Sequence, residues 1–200
     1  MAVLITMQQI FYTSVSPEEY YRLGKDFPFP VPDSCPNPGC LVKIAPQKHG
    51  FYRRNVVTPD FSARILIRRY HCKYCGKTIS YLPSFCLPYF QYTVEVIYTV
   101  LRYILVFCYS LRASLQLLKR LFWTPAHLQF YARRFFANLY HIKLGLRQLL
   151  PRVELPGENL DKREGAKKVL HIVAAGFAHI QTFSTRFYAQ CGYSFLAPRT

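Results

Sequence analysis

The chain has 200 residues, of which 51% are hydrophobic and 16% aromatic, so a disordered polypeptide is excluded and one ordinary domain or two small ones are expected. Its 26 Lys and Arg outnumber 10 Asp and Glu, leaving a formal charge of +16. That imbalance points to a polyanionic partner, nucleic acid before an anionic membrane surface.

Residues 1–34 read as an N-terminal extension. They lack the basic start, long apolar run and small-residue cleavage site of a secretory signal. Seven cysteines cannot all pair, so a reducing, cytoplasmic setting is expected. Closely spaced thiols in that setting bind metal or do redox chemistry more often than they form structural disulfides.

Two half-sites follow. Cys35-Pro-Asn-Pro-Gly-Cys40 spaces two thiols by four residues, and Cys72-Lys-Tyr-Cys75 spaces two by two. Both spacings suit tetrahedral zinc, whose four ligands a pair of tight turns can supply in twos. Gly39 and Gly76 stand where a left-handed residue would help such turns. A thioredoxin-like motif would instead open a helix after a buried strand, and no such helix is offered here. His49 and His71 read as ordinary strand residues rather than substitute ligands, because neighbouring side chains on a strand point opposite ways.

Between the half-sites, "HGFYRRNVV" and "SARILIRRYH" read as strands joined at Pro59-Asp60. In the second, Ala63, Ile65 and Ile67 alternate with Arg64, Leu66 and Arg68. Residues 35–82 are therefore expected to form a small antiparallel zinc ribbon, with Zn²⁺ supplying much of its folding free energy. From Cys35 to Cys86 there are nine Lys or Arg and one acid, Asp60. Arg53, Arg54, Arg64, Arg68, Arg69, Lys73 and Lys77 are candidates to track a phosphate backbone. Tyr52, Tyr70 and Tyr74 interleave with them, and covering the metal site and small core is the expected role of these rings.

The stretch "CPNPGC…KHGFYRR…ILIRRYHCKYCGKTISYLPSFCLPY" resembles the zinc ribbon of bacterial transposase-like proteins. More narrowly, it is similar to an uncharacterised bacterial family, often labelled transposase-like, that joins a ribbon to a helix-turn-helix. The likeness is clearest over residues 35–92. It implies DNA binding in a mobile-element setting, with Cys35, Cys40, Cys72 and Cys75 on the family's metal positions. The four-residue first knuckle departs from the commoner two-residue one.

Residues 83–92, with Pro83 and Pro88, are expected to be an extended linker, and Cys86 within it a packing residue. Residues 93–150 then turn helical. Thr93 is positioned to cap a helix to about Cys108, and Ser110 a second, "LRASLQLLKRL". Thr124-Pro125 opens a third, "AHLQFYARRFFANLYHI", whose Leu128, Tyr131, Phe135 and Leu139 share one face. Three helices with a brief second turn fit a helix-turn-helix, with His127, Gln129, Phe130, Arg133 and Arg134 as outward candidates for base and backbone contact. A plain helical bundle with a solvated basic face fits the same pattern. The apolar run of residues 94–111 is long enough to span a bilayer, but Arg102 at its middle argues for a buried helix and against membrane insertion.

Residues 151–165 gather Glu154, Glu158, Asp161 and Glu164 among prolines and glycines and read as an acidic surface linker. Over 166–200, Val169, Ile172, Val173, Phe177 and Ile180 repeat at helical spacing and predict one C-terminal helix with a tail. His171 and His179 ride on it as surface or packing residues.

The fold class expected is α+β, a zinc ribbon followed by an all-α domain. No phosphate-binding glycine loop, serine elbow or scaffolded acid pair is found, so a binding protein is expected rather than an enzyme. The leading reading is a zinc-stabilised nucleic-acid-binding protein, with duplex DNA ahead of RNA, serving as the recognition component beside a separate catalytic chain. The alternative is a protein-interaction or assembly factor whose ribbon is purely structural, and a catalytic transposase fragment is the third.

Overall fold

The structure, a computed structural model, describes residues 6–157 and 159–197. Among these residues the chain is mixed α/β, with four strands and six α-helices. The strands are β1 (Thr6–Phe11), β2 (Gln47–Val57), β3 (Ser62–His71) and β4 (Thr78–Pro83), and they lie side by side in the order β1-β4-β3-β2. β2 with β3 and β3 with β4 are antiparallel, as expected for a ribbon. β1 is an addition, since it pairs in parallel with β4 from Met7 opposite Ile79 to Phe11 opposite Pro83. The N-terminal extension thus supplies the fourth strand, and the sheet is mixed rather than antiparallel throughout.

The predicted alternation holds along β3. Ile65 and Ile67 are fully buried while Arg64 is exposed, and Val56 of β2 joins the same buried face. The helix α1 (Pro17–Leu23) covers this face, capped by Ser16, whose Oγ accepts from the Glu19 amide at 3.1 Å, with Pro17 in its first turn. From it Tyr20 enters the core beside Phe27 and Phe85, and its hydroxyl donates to the Leu66 carbonyl at 2.8 Å. That carbonyl lies just past Arg68, where the pairing of β3 with β4 ends, so the phenol takes the place of a ladder bond.

Residues 83–92 are not a solvated linker. Ser84, Phe85, Cys86 and Leu87 are buried, and the Val57 amide donates to the Gln91 carbonyl at 2.9 Å while the Val94 amide donates to Phe85. The segment is a seam between the sheet-side core and the helical core, too apolar to face water. A buried polar chain crosses the same place. The Thr13 amide donates to Ser84 Oγ, Ser84 Oγ donates to Gln181 Oε1, and Gln181 Nε2 donates to Glu95 Oε1.

The helical core is built from α2 (Val94–Leu101), α3 (Leu111–Leu117), α4 (Pro125–Leu149), α5 (Lys162–Gly176) and α6 (Ile180–Cys191). The apolar run is not one helix. α2 passes into a π-turn at Arg102–Val106, and Cys108 turns left-handed with φ 54°. Val94, Ile97, Val100 and Leu101 are buried, and no helix among the described residues is long and apolar enough to cross a membrane.

α4 starts at the predicted cap and buries Leu128, Tyr131, Phe135 and Leu139, then continues through Ile142 and Leu146. Asp161, expected in a linker, is the N-cap of α5 and accepts from the Arg163 and Glu164 amides. Glu154, Asp161 and Glu164 are exposed, as expected, and Glu158 lies outside the described residues. The single C-terminal helix is corrected to two. Phe177 is extended (φ −138°, ψ 126°) and His179 is extended as the N-cap of α6, so the chain turns between Gly176 and Ile180 while Phe177 stays buried.

Candidate metal centre

The two cysteine pairs sit at one end of the sheet, the first just ahead of β2 and the second in the turn between β3 and β4. In the second turn the Gly76 amide donates to the Cys72 carbonyl at 2.9 Å and the Cys72 amide to the Lys77 carbonyl at 3.0 Å. Gly76 is left-handed (φ 65°), as the spacing predicts. Gly39 is not left-handed, which corrects the expectation for the first turn. Asn37 closes that turn instead, its side-chain oxygen accepting from the Gly39 amide at 3.2 Å and its carbonyl from the Cys40 amide at 3.0 Å. Lys43, which no spacing rule singles out, donates from Nζ to the Asn37 carbonyl at 2.5 Å and braces the same loop.

These turns bring Cys35, Cys40, Cys72 and Cys75 together, with all four sulfurs within 4.8 Å of one another. The Cys35–Cys75 sulfur separation is 3.7 Å and the Cys40–Cys72 separation 3.8 Å. A regular tetrahedron of sulfurs about 2.3 Å from a central ion has edges of about 3.8 Å. The cage therefore fits one tetrahedral metal ion. It is also shielded, with Cys35, Cys40 and Cys72 buried and Ile79 packed against them.

Cys35, Cys40 and Cys75 sit in electrostatically unequal surroundings. The Asn37 side chain, hydrogen-bonded to Cys75, pulls that thiol down to about 6, whereas burial pushes Cys35 up to about 12 and raises Cys40. A divalent cation held by the cage would stabilise all four thiolates together. The His49 and His71 rings lie tilted to each other with centroids 5.3 Å apart, and the candidate ligand cluster consists of the four cysteines, without either ring.

The predicted nucleic-acid residues do not form a single surface. Cross-strand pairing sets Phe51 opposite Arg68, Arg53 opposite Leu66 and Asn55 opposite Arg64. By strand alternation Arg53, Arg64 and Arg68 share one face, and Arg54 and Arg69 lie on the other, with Val56, Ile65 and Ile67. Arg53 and Arg64 are exposed, and the Arg68 guanidinium lies 4.5 Å from the Phe51 ring centroid. Lys73 is exposed and Lys77 half-buried beside the second turn.

Arg54 is corrected to an internal role. Its guanidinium donates to the Leu87 carbonyl at 2.5 Å and to the Phe90 carbonyl at 2.7 Å, tying the seam to β2. The Arg69 Nε is buried without a partner. On α4, Gln129, Phe130 and Arg133 are exposed, and Arg134 is half-buried with its guanidinium 5.1 Å from the Phe130 ring and 5.8 Å from the Phe90 ring. His127 is corrected from base contact to helix capping. Its Nδ1 accepts from the Thr124 amide at 3.1 Å, and its ring stacks on Trp123.

Of the interleaved tyrosines, Tyr70 is buried and donates to the Pro30 carbonyl at 2.7 Å, and Tyr52 packs against the sheet-side core. Tyr74 is 61% exposed at the second turn. Two features escaped the sequence reading altogether. Leu41 is 98% exposed just after the first turn, with Val42 and Ile44 also exposed. Tyr89 is 78% exposed in a left-handed conformation (φ 71°), which costs a bulky residue about 1–3 kcal/mol.

Residues 35–119 are similar to a domain of unknown function, DUF6431. That span holds both cysteine pairs, β2 to β4, the seam, α2 and α3, so it takes in the whole thiol cage but stops short of α4. No curated protein and no solved structure matches the chain.

Proposed function

We propose that the chain is a zinc-stabilised nucleic-acid-binding protein, with duplex DNA its principal partner, and that it recognises rather than cleaves. Zinc is the proposed ion because four thiolates in a tetrahedron suit Zn²⁺ or iron, and two cysteine turns beside an antiparallel hairpin support the zinc-ribbon reading. The observation that carries the reading is the unspent positive charge. Against a formal +16, the ion pairs among the described residues are Arg22–Glu19 and Arg120–Asp60. Arg53, Arg64 and Arg68 meanwhile share one face of the β2–β3 hairpin. In this reading α3 and α4 act as a helix-turn-helix, with Gln129, Arg133 and Arg134 toward the nucleic acid. The transposase-like resemblance favours a mobile-element setting in the cytoplasm, beside a separate catalytic chain.

The test is a binding titration of the zinc-loaded protein on duplex DNA at several salt concentrations. Affinity should fall steeply and linearly on logarithmic axes, since each neutralised phosphate releases counterions. Arg133→Ala should weaken binding and reduce the slope by about one while leaving the fold intact. Binding that ignores salt would contradict the reading. Salt-insensitive association with a protein partner would favour the second reading, a protein-assembly factor, for which the exposed Leu41, Val42 and Ile44 beside the cysteine cage are the specific observation.

A further inference from the structure

Residues 87–90 form a short turn on the protein surface, and its construction is unusual. Leu87 and Phe90 are buried, and their carbonyls are both held by Arg54 from β2. Between them Tyr89 adopts a left-handed backbone and projects its ring into solvent. An exposed ring recovers little burial energy, so the core does not require a tyrosine here, and glycine would suit the backbone better. A rigid, guanidinium-anchored base that presents an aromatic ring is the arrangement of a ligand platform.

Tyr89 stands between two cavities and lines both. One, of about 550 Å³, is walled by Phe90, Phe130, Tyr131 and Arg134. The other, of about 610 Å³, lies between the first cysteine turn, β1 and the end of α6, with Pro36, Pro38, Gln8, Gln9, Tyr188 and Gln190 in its lining. Neither is lined by a carboxylate. Gln9, half-buried, and Gln190, exposed, bring side-chain amides to the lining of the second cavity. In the first, Arg134 rests on aromatic rings and pairs with no acid among the described residues.

We infer that Tyr89 and its two flanking cavities form a site for unpaired nucleotides of a nucleic-acid strand. Base faces stack on Tyr89 and Phe130, the glutamine amides meet base edges, and Arg134 meets the backbone. The site joins the metal cage to α4, because Pro36 and Pro38 belong to the first cysteine turn and Phe130 and Arg134 to α4. The inference rests on the nucleic-acid reading above and narrows its substrate from plain duplex to nucleic acid with a single-stranded or extrahelical element. Acidic peptides are disfavoured as occupants, since a single guanidinium faces the two cavities while aromatic and amide groups dominate their walls.

The experiment measures fluorescence anisotropy of the zinc-loaded full chain with three labelled probes: a single strand, a blunt duplex, and the same duplex carrying a short unpaired gap. The parent protein should prefer the gapped duplex to the blunt one. Tyr89→Ala should weaken the single strand and the gapped duplex by about tenfold, as the loss of one stacked base does, and leave the blunt duplex unchanged. Tyr89→Gly removes the ring while relieving the backbone, so loss of binding in that variant cannot be laid to misfolding, and Tyr89→Phe should bind nearly as the parent does. If Tyr89→Gly binds the gapped duplex as tightly as the parent, the site is not the path of the strand and is left to a polypeptide. Equal loss on all three probes would also overturn the inference while the broader reading stands, whereas no binding to any probe at low salt would overturn both.

Discussion

Cys35, Cys40 and Cys72 are buried and Cys75 is half-buried, and such a close set of thiols is poorly satisfied without an ion to share. Removing one ligand should therefore act on folding rather than on local packing. Cys72→Ser is expected to lose stoichiometric metal and to destabilise the sheet by an amount approaching the metal's contribution, of order 10 kcal/mol. Metal analysis of the purified variant together with its thermal melt checks this. Glu95 offers a second test. Burial at the seam raises its pKa, only partly offset by the Gln181 side chain and its neighbours. A carboxyl whose folded pKa is raised contributes its full stability below the ordinary glutamate range and loses it as pH climbs through the raised value. Glu95→Gln keeps an acceptor for Gln181, so it should melt higher than the parent at neutral pH, match it under acid conditions, and flatten the pH profile between. An unchanged profile would remove the buried carboxyl from the account. The cysteine cluster was legible from spacing alone, since four cysteines in two tight turns leave few other readings. The roles of Arg54 and His127 were not, because a charged residue's partners are set by chain segments 33 residues away in one case and by a local cap in the other.

Among the elements, β2, β3 and α4 follow their local signals closely. Alternation marks the hairpin, and Thr124-Pro125 marks the start of α4. β1 carries no comparable pattern, because its place in the sheet comes from pairing with a strand about seventy residues on. The apolar periodicity that suggested one C-terminal helix runs straight through the break at Phe177, since a buried residue keeps its apolar character whether its backbone is helical or extended. Helix packing gives a prediction of its own. Gly145 lies on α4 where α6 crosses it, and a Cβ there would overlap the Phe187 ring and lie 2.9 Å from Cys191 Sγ. Gly145→Ala should therefore lower stability by about 1–2 kcal/mol, although alanine is the better helix former, and a denaturant melt will show the sign. An increase in stability would mean that α4 and α6 are not in contact at that point.

At the scale of the whole molecule, a sheet that ends in the four-cysteine cage and a helical core share one buried seam, and the polar chain Thr13–Ser84–Gln181–Glu95 crosses it. The expectation of a linker failed here for a physical reason. Pro83 and Pro88 do not keep the segment extended, since turns close at Pro83–Cys86 and Leu87–Phe90, and its Phe85, Cys86 and Leu87 are apolar enough to be drawn inward from both sides. The seam also fixes the relation between the metal cage, Tyr89 and α4, so metal loss should reach the proposed nucleic-acid surface as well as the sheet. The claim on which the rest depends is that one ion joins the two cysteine turns, and cobalt substitution tests it most directly. One equivalent of Co²⁺ added to the metal-free, reduced chain should produce the intense visible bands of tetrahedral thiolate coordination, displaced stoichiometrically by Zn²⁺ and absent in Cys72→Ser. A weak octahedral spectrum, or tetrahedral bands that persist in Cys72→Ser, would contradict it.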